Sequence, residues 1–205
     1  MSGLGVPLKK WSLGTAEKFS KIKFIYRENQ NRIAVYGINK KTGQVKLKYF
    51  DISGNRLGET ILSKATAEWS IFGDGSIITG NIASGKMVVG AYSSTGSKQS
   101  EYKGPAATEI LGMTAGNFWT GAGKSVAVIY RQGAVYFRII YDLSSGAYKR
   151  EMLNKTVGPW RLRGSGGDTS KSAEVLFYME KGGVFDIFGN GGKAIRAVKL
   201  PALRQ

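Results

Sequence analysis

The chain has 205 residues, with 30 Lys and Arg against 14 Asp and Glu, a formal net charge of +16, and neither His nor Cys. This excludes disulfides, His-based metal sites and every Ser/His or Cys/His catalytic arrangement. Nine Phe, 10 Tyr and 4 Trp exclude a disordered chain, and 29 Gly with only 4 Pro and no G-x-y period exclude collagen while implying many tight turns.

From the N-terminus, Met1–Trp11 has neither a basic region nor an apolar core of signal-peptide length. Thr15–Lys21 is the one stretch that reads as helix, a turn or two at most. After it come runs rich in Val, Ile, Tyr and Phe, bounded by Gly, Asn, Asp or Ser, which predict strands. They are Lys23–Tyr26, Arg32–Ile38, Gln44–Phe50, Ser76–Ile82, Met87–Tyr92, Ser125–Arg131, Ala134–Asp142, Ala173–Met179 and Val184–Phe188. No apolar stretch approaches the ~20 residues of a spanning helix, so the chain is read as soluble, without membrane insertion. The near-continuous apolar run Ser125–Tyr130 predicts a strand covered on both faces.

The runs repeat. Aligned without a gap, the segment from Trp69 matches the segment from Trp119, bringing Gly73 onto Gly123, Gly96 onto Gly146 and Glu101 onto Glu151. A third copy opens at Trp160, and a divergent first copy ends at Asp51-Ile-Ser-Gly54. The turn glycines Gly54, Gly96, Gly146 and Gly192 recur roughly 40–50 residues apart, each preceded by one of Trp11, Trp69, Trp119 and Trp160. The expected fold is therefore all-β, a small β-propeller-like array of about four antiparallel blades in a single domain, with approximate modules 1–66, 67–108, 109–156 and 157–200. A β-sandwich or barrel is the alternative, because short strands with regular turns read much the same in all three. A partial propeller completed by another chain is a third arrangement.

Phe118-Trp-Thr-Gly-Ala-Gly-Lys-Ser-Val-Ala-Val-Ile-Tyr-Arg131 resembles the FG-GAP repeat of integrin-type β-propellers, with weaker echoes in Phe72-Gly-Asp-Gly75 and Leu162–Asp168. The resemblance covers about residues 67–190. It implies a propeller whose loops, in that family, hold calcium through several carboxylates. Here Asp74 remains, Lys124 takes an acidic position and Asp168 stands isolated. Calcium asks for six to eight oxygens, several of them charged. No metal and no cofactor are expected.

Two glycine-rich segments fail as phosphate loops. Gly164–Ser170 lacks the Lys-Ser/Thr ending, and Gly121-Ala-Gly-Lys-Ser125 has Phe118 where the motif needs a glycine and a strand where it needs a helix. The acidic residues are scattered, with no pair marked to converge as a glycosidase requires. The reading is non-enzymatic. Trp69, Trp119 and Trp160, with Arg131, Arg161 and Arg163, are the candidate ligand-binding residues, as Trp stacking platforms beside Arg anion grips. The opposing reading makes the tryptophans core anchors between blades.

Three function classes follow. The first is a non-catalytic structural or interaction protein, a component of a larger assembly such as a virion, with protein partners or self-assembly. The second is a lectin-like carbohydrate-binding propeller. The third is a binder of a polyanion or nucleic acid, supported by charge alone.

Overall fold

The computed structural model describes residues 13, 17–25, 32–62, 66–119, 123–153, 160–164, 175–179, 184–188 and 194–199; before residue 33 and after residue 153 it is the backbone pairing that is described. Trp11, Asp168, Gly192 and most of the Gly164–Ser170 loop lie outside these residues.

The described residues form strands and turns only. Sixteen strands make four separate four-stranded sheets, each an antiparallel meander in which every strand pairs with its sequence neighbours. The first sheet holds β1 (Glu17–Ile25), β2 (Arg32–Asn39), β3 (Val45–Asp51) and β4 (Arg56–Leu62). The second holds β5 (Glu68–Ile71), β6 (Ile77–Ala83), β7 (Lys86–Tyr92) and β8 (Lys98–Ala106). The third is β9 (Glu109–Gly116), β10 (Ser125–Gln132), β11 (Val135–Asp142) and β12 (Tyr148–Leu153). The fourth is β13 (Trp160–Gly164), β14 (Val175–Met179), β15 (Val184–Phe188) and β16 (Ala194–Lys199). The all-β, propeller-like inventory of four antiparallel blades is thus what the structure shows. A barrel would close one sheet on itself, and none of these four does so.

The chain divides into two compact units, Met1–Ala65 and Thr66–Gln205. In the first, Val45 and Leu47 of β3 are buried with Ala34, Val35 and Tyr36 of β2, whereas the edge strand β4 leaves Leu57 and Ile61 exposed. In the second, the opening strands of the sheets run beside one another, β5 next to β9 and β9 next to β13. The Ser70 hydroxyl accepts the Ala115 N–H at 2.9 Å and so fastens β5 to β9.

The third sheet is covered on both faces. One face packs Val126, Val128, Tyr130, Ile139 and Tyr141 against Phe72, Met87 and Val89 of the second sheet. The other carries Phe118, Ala127, Ile129 and Ile140 in a separate cluster. Every residue from Ser125 to Tyr130 is buried, as the apolar run predicted.

One expectation is overturned. Thr15–Lys21 is no helix where it is described, because Glu17 onward belongs to β1. A bulge between Phe19 and Lys21 adds one residue to the strand. Pairing with β2 along Glu17–Ile25 outweighs the local preference of so short a stretch.

The repeated glycines have one job. In the turn from third to fourth strand, Gly54, Gly96 and Gly146 take φ of 85°, 91° and 72°. Each donates its N–H to the carbonyl of the residue opening the turn, Asp51, Ser93 or Asp142. The side chain of that residue also accepts a backbone N–H, from Asn55, Ser97 and Ser144 respectively. A left-handed φ disfavours any residue with a Cβ, so the glycine keeps its place while the strands around it diverge.

Candidate functional site

The ungapped alignment equates Trp69 with Trp119, but the structure separates them. Trp69 lies within β5 and is 0% exposed, so it has no face to offer a ligand. Trp119 lies beyond β9, partly buried beside the Phe118 cluster, and the Lys149 ammonium sits 4.7 Å over its ring. The reason is loop length: β5 and β6 are joined by residues 72–76, whereas β9 and β10 are joined by the longer segment 117–124. The true counterparts are Phe72 and Phe118. Both are fully buried, and each N–H bonds the serine beside the second strand, Phe72 to the Ser76 carbonyl and Phe118 to the Ser125 hydroxyl.

Arg131 is also held elsewhere. It lies next to last in β10, at the opposite end from Trp119, and its guanidinium pairs with Glu109 at 3.0 Å. Trp160, Arg161 and Arg163 lie on β13, where they pair in register with Met179, Tyr178 and Leu176; their side chains lie outside the described residues. Trp69, Trp119 and Arg131 therefore do not converge.

What does converge is a cleft of about 320 Å³ between the second and third sheets. Phe72, Ile78, Ala91 and Leu143 supply its apolar lining, Tyr92 and Tyr102 two aromatic rings with hydroxyls, and Ser76, Gln99, Ser100, Lys124 and Ser144 its polar lining. The Tyr102 hydroxyl donates to the Leu143 carbonyl at 2.6 Å, which bridges the two sheets. Sequence reasoning missed this site because its residues come from the β5–β6 loop, from β6 to β8 and from two loops of the next sheet, with no local spacing to mark them.

At one end lies a trio. The Lys124 ammonium is 2.5 Å from Asp74 Oδ2, donates to Ser76 Oγ at 2.8 Å, and stands 5.3 Å from the Phe72 ring. Ser76 Oγ donates in turn to Asp74 Oδ1 at 2.7 Å. These are the residue types of a lysine-activated serine nucleophile, but the electrostatics are wrong. A lysine base must be neutral, and this one is engaged as a cation. Burial of Asp74 raises its pKa, but the hydrogen bonds from Lys124 and Ser76 outweigh it and hold the carboxyl below its ordinary value, which makes it a poor base. The trio is a clasp between the loop of one sheet and the loop of the next.

The clasp carries a pH signature. A depressed carboxyl pKa contributes stability that is present above its unfolded value near 3.8 and is lost as pH falls through the folded value. Asp74→Asn is therefore expected to lower stability slightly at pH 7, by about 0.5 kcal/mol or less for an exposed pair, and its melting profile is expected to converge on the parent's as pH falls below about 4, where the parent loses the same contribution. Melting curves of both proteins from pH 3 to pH 7 check this.

Among the described residues no group of three or more carboxylates comes together as a metal site. No helix among them is long and apolar enough to cross a membrane.

No family model matches the chain, and no curated protein matches it. Solved structures do. A structure described as the Dos1 propeller is 12% identical, with a TM-score of 0.47, covering 90% of this chain and 47% of that one. A quinonprotein alcohol dehydrogenase-like protein from Bacteroides thetaiotaomicron is 14% identical, with a TM-score of 0.38, covering 88% of this chain and 55% of that one. The chain thus spans about half the length of these structures.

Proposed function

We propose that this protein is a non-catalytic interaction protein that works as a structural part of a larger assembly, such as a virion, and reaches it by self-association. The observation that carries the non-catalytic reading is the Asp74–Ser76–Lys124 clasp, where the residues best suited to chemistry neutralise one another across two sheets. Other carboxylates are occupied in the same manner: Glu59 by Lys46 and Arg56, Glu109 by Arg131, and Glu151 by Arg138. The FG-GAP likeness of Phe118–Arg131 belongs to this proposal, with Lys124 supplying the positive charge beside Asp74.

Self-association is placed on the first sheet. Ile52, in the turn, and Leu57 and Ile61, on edge strand β4, are 66%, 48% and 45% exposed. Between the last two, Glu59 pairs with both Lys46 and Arg56, so one carboxylate offsets part of the local positive charge beside an exposed apolar strand edge of the kind that invites pairing with another chain. Sedimentation velocity over a wide concentration range tests it. The expected result is an assembly that Leu57→Ser with Ile61→Ser returns to monomer. A chain that stays monomeric at every concentration overturns the reading.

The cleft favours a second reading, the lectin-like one. Its serine hydroxyls, the Gln99 amide and the two tyrosines suit a polyhydroxylated ligand. In that case a glycan array in moderate salt gives binding that Gln99→Ala removes, whatever the sedimentation result.

A further inference from the structure

On β12, Tyr148, Arg150 and Met152 pair in register with Tyr141, Ile139 and Phe137 of β11 and share one face of the sheet with them. Tyr148 and Met152 are 46% and 56% exposed. Arg150 is exposed as well and, like Lys149 over Trp119, sits against an aromatic ring rather than a carboxylate. Lys46, Arg56, Lys98, Lys124, Arg131 and Arg138 each face a carboxylate. The Arg150 guanidinium instead lies 3.7 Å over the Phe137 ring, which stacks on Tyr130 at 5.4 Å with 21° between the planes. Its Nη2 donates to the Gln132 side-chain oxygen at 2.7 Å. One flat side and one donor are thus used to fix the group's orientation, and its positive charge meets no ion-pair partner among the described residues.

We infer that this row is a binding platform for single-stranded nucleic acid. Residues two apart on a strand stand ~7 Å from each other on one face. That gives an exposed tyrosine ring, an oriented guanidinium and a polarisable thioether in sequence, surfaces on which unstacked bases lie flat. The guanidinium edge carries the donors for a phosphate, and its orientation is set before the ligand arrives. A duplex hides its base faces, so the platform selects single strands. The net charge of +16 supplies long-range attraction, while the row supplies the stacking. The inference is independent of self-association through β4 and of the cleft.

The test is fluorescence anisotropy with a labelled oligo-dT on the full chain at low and physiological salt. Arg150→Ala is expected to weaken binding about tenfold and to reduce the salt slope by about one. Arg150→Lys, which keeps the charge and loses the flat stacked group, is expected to recover only part of the loss. Tyr148→Ser weakens binding severalfold; its ring is half exposed and also packs on Tyr141 at 5.5 Å, so its fold is checked by the same thermal melt, and it decides the matter if Arg150→Ala proves poorly folded. Wild-type affinity in Tyr148→Ser and in folded Arg150 variants overturns the inference. So does equal competition by a duplex of the same length or by inorganic polyphosphate, which would reduce the interaction to charge alone.

Discussion

Trp69→Ala is expected to destabilise the unit formed by residues 66–205 by about 3–5 kcal/mol, and Trp119→Ala by roughly 1–2 kcal/mol. Trp69 is 0% exposed inside β5, so truncation leaves a ring-sized cavity in the interior of that unit. Trp119 is only partly buried, and one side of its ring is covered by a lysine that can move away. Urea unfolding of the two variants beside the parent measures both values. Equal losses would restore the equivalence that the ungapped alignment implied and would count against Phe72 and Phe118 as the repeated anchors.

Gly104→Ala is the second large effect, expected to cost about 2–3 kcal/mol by overpacking. Gly104 lies in β8, and a Cβ there would strike the Tyr141 hydroxyl directly and meet Met87 Cε at 3.2 Å and Cβ at 3.3 Å. Tyr141 comes from β11 of the next sheet and is fully buried, so it has no room to withdraw. Its hydroxyl has no hydrogen-bond partner among the described residues, and burial pushes its pKa far up. Removing that oxygen is therefore expected to help: Tyr141→Phe gains about 1 kcal/mol by itself and recovers much of the Gly104→Ala loss in the double variant. Gly80→Ala is the contrasting case. Its Cβ would meet Met113 Cε at 2.6 Å, the far end of a flexible chain that can swing aside. Strict additivity of Gly104→Ala and Tyr141→Phe in denaturant unfolding would show that the two do not meet as described.

The glycine punctuation was legible because it answers to a local steric rule. Gly54, Gly96 and Gly146 needed positive φ, and that requirement survives any drift in the strands. The buried strands were legible too, Ser125–Tyr130 above all, since cover on both faces leaves only apolar residues. The outer strands β4, β8 and β12 escaped notice because they are largely exposed and show no clear alternation. Opening strands such as β5 escaped because four residues are too few to show a period. Tryptophan misled for a related reason. A rare residue draws the eye, but the position that repeats is an aromatic anchor filled by phenylalanine, and a longer loop shifted the two tryptophans into false register. The cleft and the Arg150 row are products of strand pairing and sheet packing, which bring together residues from separate strands and loops.

The meander connectivity bears on how the chain is made. Within the first sheet, pairing reaches no farther than from Glu17 to Asn39, and the third sheet is no more demanding, with Glu109 opposite Arg131. No ladder waits for a distant segment, so a nascent polypeptide emerging from the ribosome can complete each blade before the next is synthesised, with low contact order and brief exposure of unpaired edges. Vectorial assembly of this kind suits a strand-rich, glycine-rich chain that has no disulfide to lock a pairing in place.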